Sequence, residues 1–376
     1  MAKAGPTLVL DIDSASVGAC VLTDGIERPT MSKVKRMPIG TGAVRETAAL
    51  IPLLKEALGQ LLPLYADTKP AHIFIVLASP WFRAQLRTLA SKSERPVRVT
   101  ESSIERVVSE YKKKEHSDGG HPLEAVPITI TVNGYRTLVE HPLLGTSLAV
   151  TMYETATDSA LVTTVTDALA AFAPHVPITW HSTPLVYAET ILRLSGYEYA
   201  TVVDVGGEMT DVMILSKRTL GFVGSIPEGS RSVTRTIAGK NPIADSASRL
   251  VMMTKGDLKD EERASLSESL RTASAGWQKS FNEILLEAGN TIPVPHHVFV
   301  VGERDELGWF RRVVEDTSTR GGAPTVVLPE FFNGALAFGD GGSYDASLAL
   351  AALFFHMRNS HSLSTTYGAR VIYSIQ

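Results

Sequence analysis

Two aspartates, Asp11 and Asp204, stand at the same place in two similar stretches of sequence. Each lies near the end of an apolar, β-prone run, TLVLDI at residues 7–12 and the first part of YATVVDVGGEMTDVMIL at residues 199–215. In both, small or polar residues follow, and then a second apolar run, so each stretch predicts a β-hairpin. A turn of small residues leaves backbone N–H groups free to face a phosphate. A carboxylate at the strand end can hold Mg²⁺, usually through water, or orient an attacking water. Asp11 with Ser14 and Ser16 makes the first such element. Asp204 with Gly206, Gly207, Thr210 and Asp211 makes the second. A third is a strand over 297–301 that ends in Gly302 and leads through Glu303 into a helix, a suitable wall for an adenine ring. A strand–Asp–turn hairpin also occurs with no ligand at all. The information lies in the pair, in order, with the glycine element behind it.

These residues need a scaffold, and the surrounding pattern is α/β. A helix is expected over 46–64, with Leu50, Leu53, Leu54, Leu58 and Leu61 at helical spacing, and a buried strand over 73–78. From about residue 83 to 174 the character changes. A short strand at 97–99, a helix over 102–114 capped by Thr100, a loop at 116–121 and strands over 128–132 and 147–153 are expected there, with an Asn133–Gly134 turn and a helix over 158–172. This block has the look of a small α+β subdomain inserted in a larger one. Beyond it come a strand at 178–180 and a helix over 183–194. After the second hairpin, a helix from 230, two helices within 257–287, a strand at 325–328 and a helix over 345–357 are expected. The echo of the first hairpin about 190 residues later suggests an internally duplicated fold.

The 376 residues suffice for two domains. Hydrophobic residues at 44% and charged residues at 20% are ordinary for a soluble chain, and a net charge of −4 gives no reason to expect nucleic acid. The single cysteine, Cys20, excludes an internal disulfide framework and any multi-cysteine metal site. The N-terminal apolar run breaks at Asp11, unlike a signal peptide, and no stretch reaches the ~18–20 apolar residues of a membrane span. The histidines, His296 and His297 included, lack ligand spacing. Trp81 and Phe82 are expected to pack in the core at a domain junction rather than to form an exposed patch.

VVDVGGEMTDVMIL resembles the second phosphate motif of the actin, Hsp70 and sugar-kinase superfamily, and LDIDSASVGACVL resembles the first. FVVGERDELGWFRRVV stands where that superfamily has its adenosine motif, and NGALAFGDGGSYDASLALAAL resembles the closing connector. Within the superfamily the chain is similar to the FtsA and PilM branch. VRVTESSIERVVSEY and EHPLLGTSLAVTMYETAT resemble the subdomain inserted in that branch, and GSIPEGSRSVTRTIA resembles the segment after its second phosphate hairpin. The chain ends GARVIYSIQ, without the basic amphipathic tail usual in FtsA, which favours the PilM side.

The resemblance implies an actin-like ATPase fold of duplicated ribonuclease H-like domains with an inserted α+β subdomain. The implied limits are 1–82 for the N-terminal part of the first domain, 83–176 for the insertion, 177–196 for the remainder of the first domain, 197–345 for the second domain, and 346–376 for a terminal helix and strand packing back on the first. It implies ATP and Mg²⁺ as cofactors. Asp11, Ser14, Ser16, Gly206, Gly207, Thr210, Gly302 and Glu303 would contact the nucleotide, and Asp11 and Asp204 the metal. Asp204 and Glu189 would be the catalytic candidates, Glu189 with Tyr187 on the connector helix. The partner would be the cytoplasmic segment of an inner-membrane protein, docked on the inserted subdomain and its cleft with the first domain. The protein would then be a cytoplasmic scaffold in type IV pilus or related secretion assembly, meeting the membrane only through that partner, with self-assembly into dimers or filaments open. The alternatives are an FtsA-like division protein that binds a division tubulin and, in another class, a small-molecule kinase.

The pattern departs from the family at three points. Asp13 stands where the first motif has Gly, Glu208 and Met209 stand where the second has Gly and Thr, and Glu303 replaces a second Gly in the adenosine motif. Added carboxylates beside phosphates cost on the order of several kcal/mol each in a low-dielectric cleft unless a cation compensates. Either they recruit metal, or the site has decayed and left a scaffold with weak or absent hydrolysis.

Overall fold

The apolar run at residues 7–12 forms strand β1 (Thr7–Ile12), and every residue in it is buried. The side chains alternate between two cores, Leu8, Leu10 and Ile12 into one and Val9 into the other. β2 (Ser16–Thr23) and β3 (Thr30–Pro38) continue as an antiparallel meander, with Asp11 opposite Gly18. Helix α1 (Thr47–Leu61) then returns the chain to β4 (His72–Leu77), parallel to β1. This computed structural model describes residues 5–25, 28–40, 47–114, 120–137, 143–317, 323–339 and 344–359.

Between β4 and the rest of the first sheet comes a separate antiparallel sheet. It holds β5 (Phe82–Arg98), β6 (His121–Val132), β7 (Tyr135–Arg136) and β8 (Leu144–Thr157) in the order β5-β8-β6-β7, with α2 (Glu101–Lys114) packed on one face. β5 is a single 17-residue strand where only 97–99 was expected, because it is an edge strand with mostly polar, solvent-facing residues and no apolar run. β6 and β8 likewise extend beyond the expected limits, and His121 opens β6 rather than ending a loop. The Asn133–Gly134 turn is present, with φ of 50° and 81°. Both angles are those of the tight hairpin turn that selects Asn-Gly.

Helix α3 (Ser159–Phe172), capped by Asp158, leads to β9 (Ile178–Ser182) and α4 (Thr183–Ser195). β9 pairs with β4, so the first sheet runs β3-β2-β1-β4-β9. The second hairpin then repeats the plan. β10 (Ala200–Val205), β11 (Thr210–Ser216) and β12 (Thr219–Ile226) form a meander. Helices α5 (Ser230–Ala238), α6 (Ile243–Lys255), α7 (Asp260–Ala273) and α8 (Ala275–Gly289) follow. β13 (Val298–Gly302) lies parallel to β10 and, after α9 (Arg304–Thr317), β14 (Thr325–Val326) lies parallel to β13. The order β12-β11-β10-β13-β14 matches that of the first sheet strand for strand. β15 (Ala337–Phe338) crosses back to the edge of β3, and α10 (Ala346–Asn359) ends the described chain. The segment ending GARVIYSIQ lies outside the described residues.

The two sheets face each other across α4 and α10. Val9 and Phe74 from the first, Val202, Met213 and Phe299 from the second, and Leu348, Leu350 and Phe354 of α10 share one core. Each such side chain contributes about 1.5–3 kcal/mol on burial. This packing brings the two hairpin turns to the same point between the halves.

Candidate functional site

Asp11 and Asp204 are each the fifth residue of a six-residue central strand. Beyond them the chain turns tightly, Asp13 N donating to Ser16 O (3.0 Å) and Gly206 N to Met209 O (3.0 Å). The two turns touch. The Asp13 carboxylate accepts from Ala15 N of its own turn and, across the cleft, from Gly207 N, both at 3.3 Å. Ser14 Oγ donates to Asp13 Oδ1 (3.1 Å) and accepts from Glu208 N (3.0 Å). A Cβ on Gly207 would lie 2.2 Å from the Ala15 Cβ, and one on Gly206 would lie 2.6 Å from Asp13 Oδ1. The glycines expected to admit a phosphate are thus used to admit the opposite turn. Burial raises the Asp13 pKa, and the Ser14 and Gly207 amides offset part of that rise.

Arg36 of β3 is the central cation, and sequence reasoning missed it. Its guanidinium reaches Asp11 Oδ2 (2.7 Å), Asp345 Oδ2 (2.7 Å) and Ser16 Oγ (2.8 Å). Gly18, opposite Arg36 in the β2–β3 ladder, makes room, since a Cβ there would stand 2.7 Å from Arg36 Nη2. Ser16 Oγ in turn donates to Glu303 Oε1 (2.9 Å). Burial outweighs Arg36 and lifts Asp11 to about 6. On α9, Glu306 is lifted to about 8 by lost hydration and by the charge of Glu303.

Asp204 is buried, in a strand paired with β11 on one side and β13 on the other. Desolvation, then the charges of Asp211, Asp13 and Asp11, push its pKa well above the carboxylate range. Asp211, opposite it in the β10–β11 ladder, is held by Ser79 Oγ (2.7 Å), Ser79 N (3.3 Å) and Ser225 Oγ (2.5 Å). Ser79 follows β4, so this carboxylate ties the first half to the second. Trp81 is buried, and its indole donates to Asp13 O (2.9 Å), which makes it a support for the turn.

The other expected residues divide. Glu208 faces α5, where Arg235 pairs with both its oxygens (2.7 and 2.5 Å), so its charge is compensated within its own half. The Thr210 hydroxyl points into the second half, donating to Glu228 O (2.8 Å) and accepting from Trp277 Nε1 (3.0 Å). Gly302 ends β13 opposite Val205, where a Cβ would approach Val205 O to 2.9 Å. Glu189 of α4 pairs with Arg358 of α10. Tyr187, two residues earlier and so about 200° around the helix, is buried and feels the charges of Asp204 and Asp11. Of the two connector-helix candidates, Tyr187 is the one brought to the carboxylates.

A triphosphate with Mg²⁺ does not fit this arrangement. The Gly207 and Glu208 amides already donate to Asp13 and Ser14, the turns are in contact, and Arg36 holds Asp11 and Ser16. Among the described residues no group of three or more His, Cys, Asp or Glu side chains is placed to hold a metal ion. A cavity of about 430 Å³ lies beside the turns, between the end of β3, α1 and α5, lined by Ile39, Leu53, Ala57, Glu208 and Arg231 among others.

No protein-family profile matches the sequence, and no curated protein sequence matches it. Solved structures do. The chain is similar to that of a PilM–PilN type IV pilus biogenesis complex, with a TM-score of 0.63, 17% identity, and coverage of 94% of this chain and 98% of that one. It is less similar to the ethanolamine utilization protein EutJ from Carboxydothermus hydrogenoformans (TM-score 0.44, 14% identity, 93% and 89% covered). A Bacteroides thetaiotaomicron protein with an actin-like ATPase fold and unknown function gives a TM-score of 0.39 at 10% identity, with 93% and 96% covered. With its duplicated sheets, its paired Asp-led hairpins and its inserted sheet between β4 and α3, the chain has the actin-like ATPase fold in the form found in PilM.

Proposed function

We propose that this protein is a scaffold that holds the cytoplasmic segment of an inner-membrane protein during type IV pilus or related secretion assembly. The observation that carries this reading is the inserted sheet, present in a chain whose likeness to the PilM of a PilM–PilN complex runs nearly end to end. No helix among the described residues is long and apolar enough to cross a membrane. Membrane contact through a partner is part of the proposal, by likeness to the PilM of a PilM–PilN complex. The docking surface would be the inserted sheet and its cleft with the first sheet.

A binding platform must be rigid, and this one is fastened by buried hydrogen bonds. Glu124 of β6 meets His181 Nδ1 (2.6 Å) and Thr155 Oγ1 (2.9 Å), and also accepts from Ser182 N (3.2 Å). Tyr153 OH bonds Ser182 Oγ (2.8 Å). Inserted and first sheets are thus linked through one carboxylate. Closed turns also favour a scaffold over a phosphoryl-transfer enzyme, because the second-turn amides that would face a phosphate already donate to Asp13 and Ser14.

The test is fluorescence anisotropy with labelled peptides copied from the cytoplasmic segments of the same organism's inner-membrane pilus and secretion proteins. Saturable binding to one of them, competed by the unlabelled peptide, is expected. Binding to the division tubulin and to none of the peptides would overturn the proposal in favour of the division role.

A further inference from the structure

We infer that Asp13 and Arg36 are a built-in substitute for an anionic ligand and its cation, and hold the two halves closed with no nucleotide bound. The inference does not depend on the proposed pilus role. It starts from the donors. Turns of this kind present backbone N–H groups that suit an anion. In the second turn two of them, Gly207 N and Glu208 N, point at the first turn and are met there by Asp13 Oδ2 and Ser14 Oγ. Asp13 is the residue that replaces a glycine, and its carboxylate lies where that glycine would leave space. The anion is therefore covalently part of the first half while its donors belong to the second.

The cation is supplied in the same way. Asp11, which would ligate a metal beside a phosphate, instead binds the Arg36 guanidinium at 2.7 Å. That guanidinium also reaches Asp345, in the segment that returns from the second half, at 2.7 Å. Other ties cross the same cleft: Ser16 to Glu303, Ser79 to Asp211, and Arg231 Nη1 to Ile39 O. A linkage of this kind is intramolecular, so it forms without the entropy loss of capturing a free ligand. Any ligand reaching the second turn must first displace Asp13.

The experiment is amide hydrogen exchange on the full chain, read at Gly207 and Glu208, with and without about 1 mM ATP–Mg²⁺, a concentration that would saturate a site of even modest affinity. In the parent both amides should exchange about 100-fold or more slowly than in an unstructured chain, with no change on adding nucleotide. Asp13→Gly should speed exchange at Gly207 at least about tenfold and restore a response to nucleotide. Asp13→Asn keeps one acceptor oxygen but removes the charge and should speed exchange at Gly207 by less than Asp13→Gly does, which keeps the idea testable should the glycine variant fail to fold. Exchange at the parent's rate in Asp13→Asn would count against an anion in that place. Unprotected amides in the parent, or protection that appears only with nucleotide, would overturn the inference. So would an Asp13→Gly variant that folds but exchanges at the parent's rate.

Discussion

Arg36 reaches over Gly18 and places its guanidinium against the Asp11 carboxylate at 2.7 Å, in a position where only a residue without a Cβ leaves room. The pair is largely buried, and Asp345 shares the same cation. Removing one member of a buried ion pair costs about 3–5 kcal/mol, because the partner stays buried without compensation. Arg36→Met should therefore destabilise the fold by about that much, since it strands two carboxylates. Arg36→Lys should recover less than half, because an ammonium cannot reach Asp11, Ser16 and Asp345 with the spread of a planar fork. Urea denaturation of the three proteins checks the order. An Arg36→Met variant as stable as the parent would show that solvent reaches these carboxylates.

Glu124 gives a second, separate prediction. Its carboxylate accepts hydrogen bonds from both sheets, so its loss leaves several buried donors unsatisfied. Each costs about 1–3 kcal/mol. Glu124→Ala should cost roughly 3 kcal/mol or more and should loosen the inserted sheet before the rest. Limited proteolysis within residues 83–157, faster than cleavage elsewhere, is the expected signature. Glu124→Gln retains one acceptor and should fall between.

The cleft carboxylates set a direction for pH. Asp11 is lifted to about 6 and Asp204 is pushed well above its ordinary range, both chiefly by burial. Asp13, Asp211, Asp345, Arg36 and the Tyr187 hydroxyl are titratable groups around them. A carboxyl whose pKa is raised on folding binds more protons in the folded state. Its contribution is complete below the unfolded value near 4 and is lost as pH rises through the folded value. Each such group changes stability by about 1.4 kcal/mol per pH unit within its window. The melting temperature should therefore fall as pH rises above 4, through Asp11 up to about 6 and through Glu306 up to about 8, with Asp204 adding to the fall, and Asp204→Asn should flatten the slope. A steeper slope in that variant would mean that Asp204 is ionised and stabilising.

How far the sequence reaches can be judged residue by residue. The hairpins were legible because apolar, β-prone runs interrupted by Asp at equal depth are a local signal. β3 was not, because TMSKVKRMP is only half buried and alternates basic with apolar residues. Arg36 sits in that strand, and its role depends on a register with Gly18 and on a return of the chain some 300 residues later. A small residue facing a lone Arg across a meander was the one available clue. Thr210 and Glu189 carried the right residue types, yet a strand and a helix each have two sides. Which side meets the cleft was decided by Trp277 in one case and by Arg358 in the other. The added carboxylates were visible, but their targets were not. Asp13 crosses to Gly207, while Glu208 turns back to Arg235.

The contact between the turns makes the last prediction the most local. Gly207 is not in the left-handed region, so alanine is compatible with its backbone. The obstacle is the Ala15 Cβ, which a new Cβ would meet at 2.2 Å. Overpacking of this kind costs about 1–3 kcal/mol and is relieved only when something moves. Here the movable part is the separation of the two turns, so Gly207→Ala should weaken the Asp13 and Ser14 bonds to the second turn as well. Ala15→Gly removes the obstructing atom and should cost little by itself. In the double variant the nearest remaining neighbours, the Ala15 Cα and Arg231 Cδ, are at 3.4 Å, an ordinary contact. The two substitutions should then be strongly non-additive, with a coupling of about 1 kcal/mol or more in a double-mutant cycle read by denaturation. Simple additivity would mean that the turns stand apart in solution, and that the cleft opens without displacing Asp13.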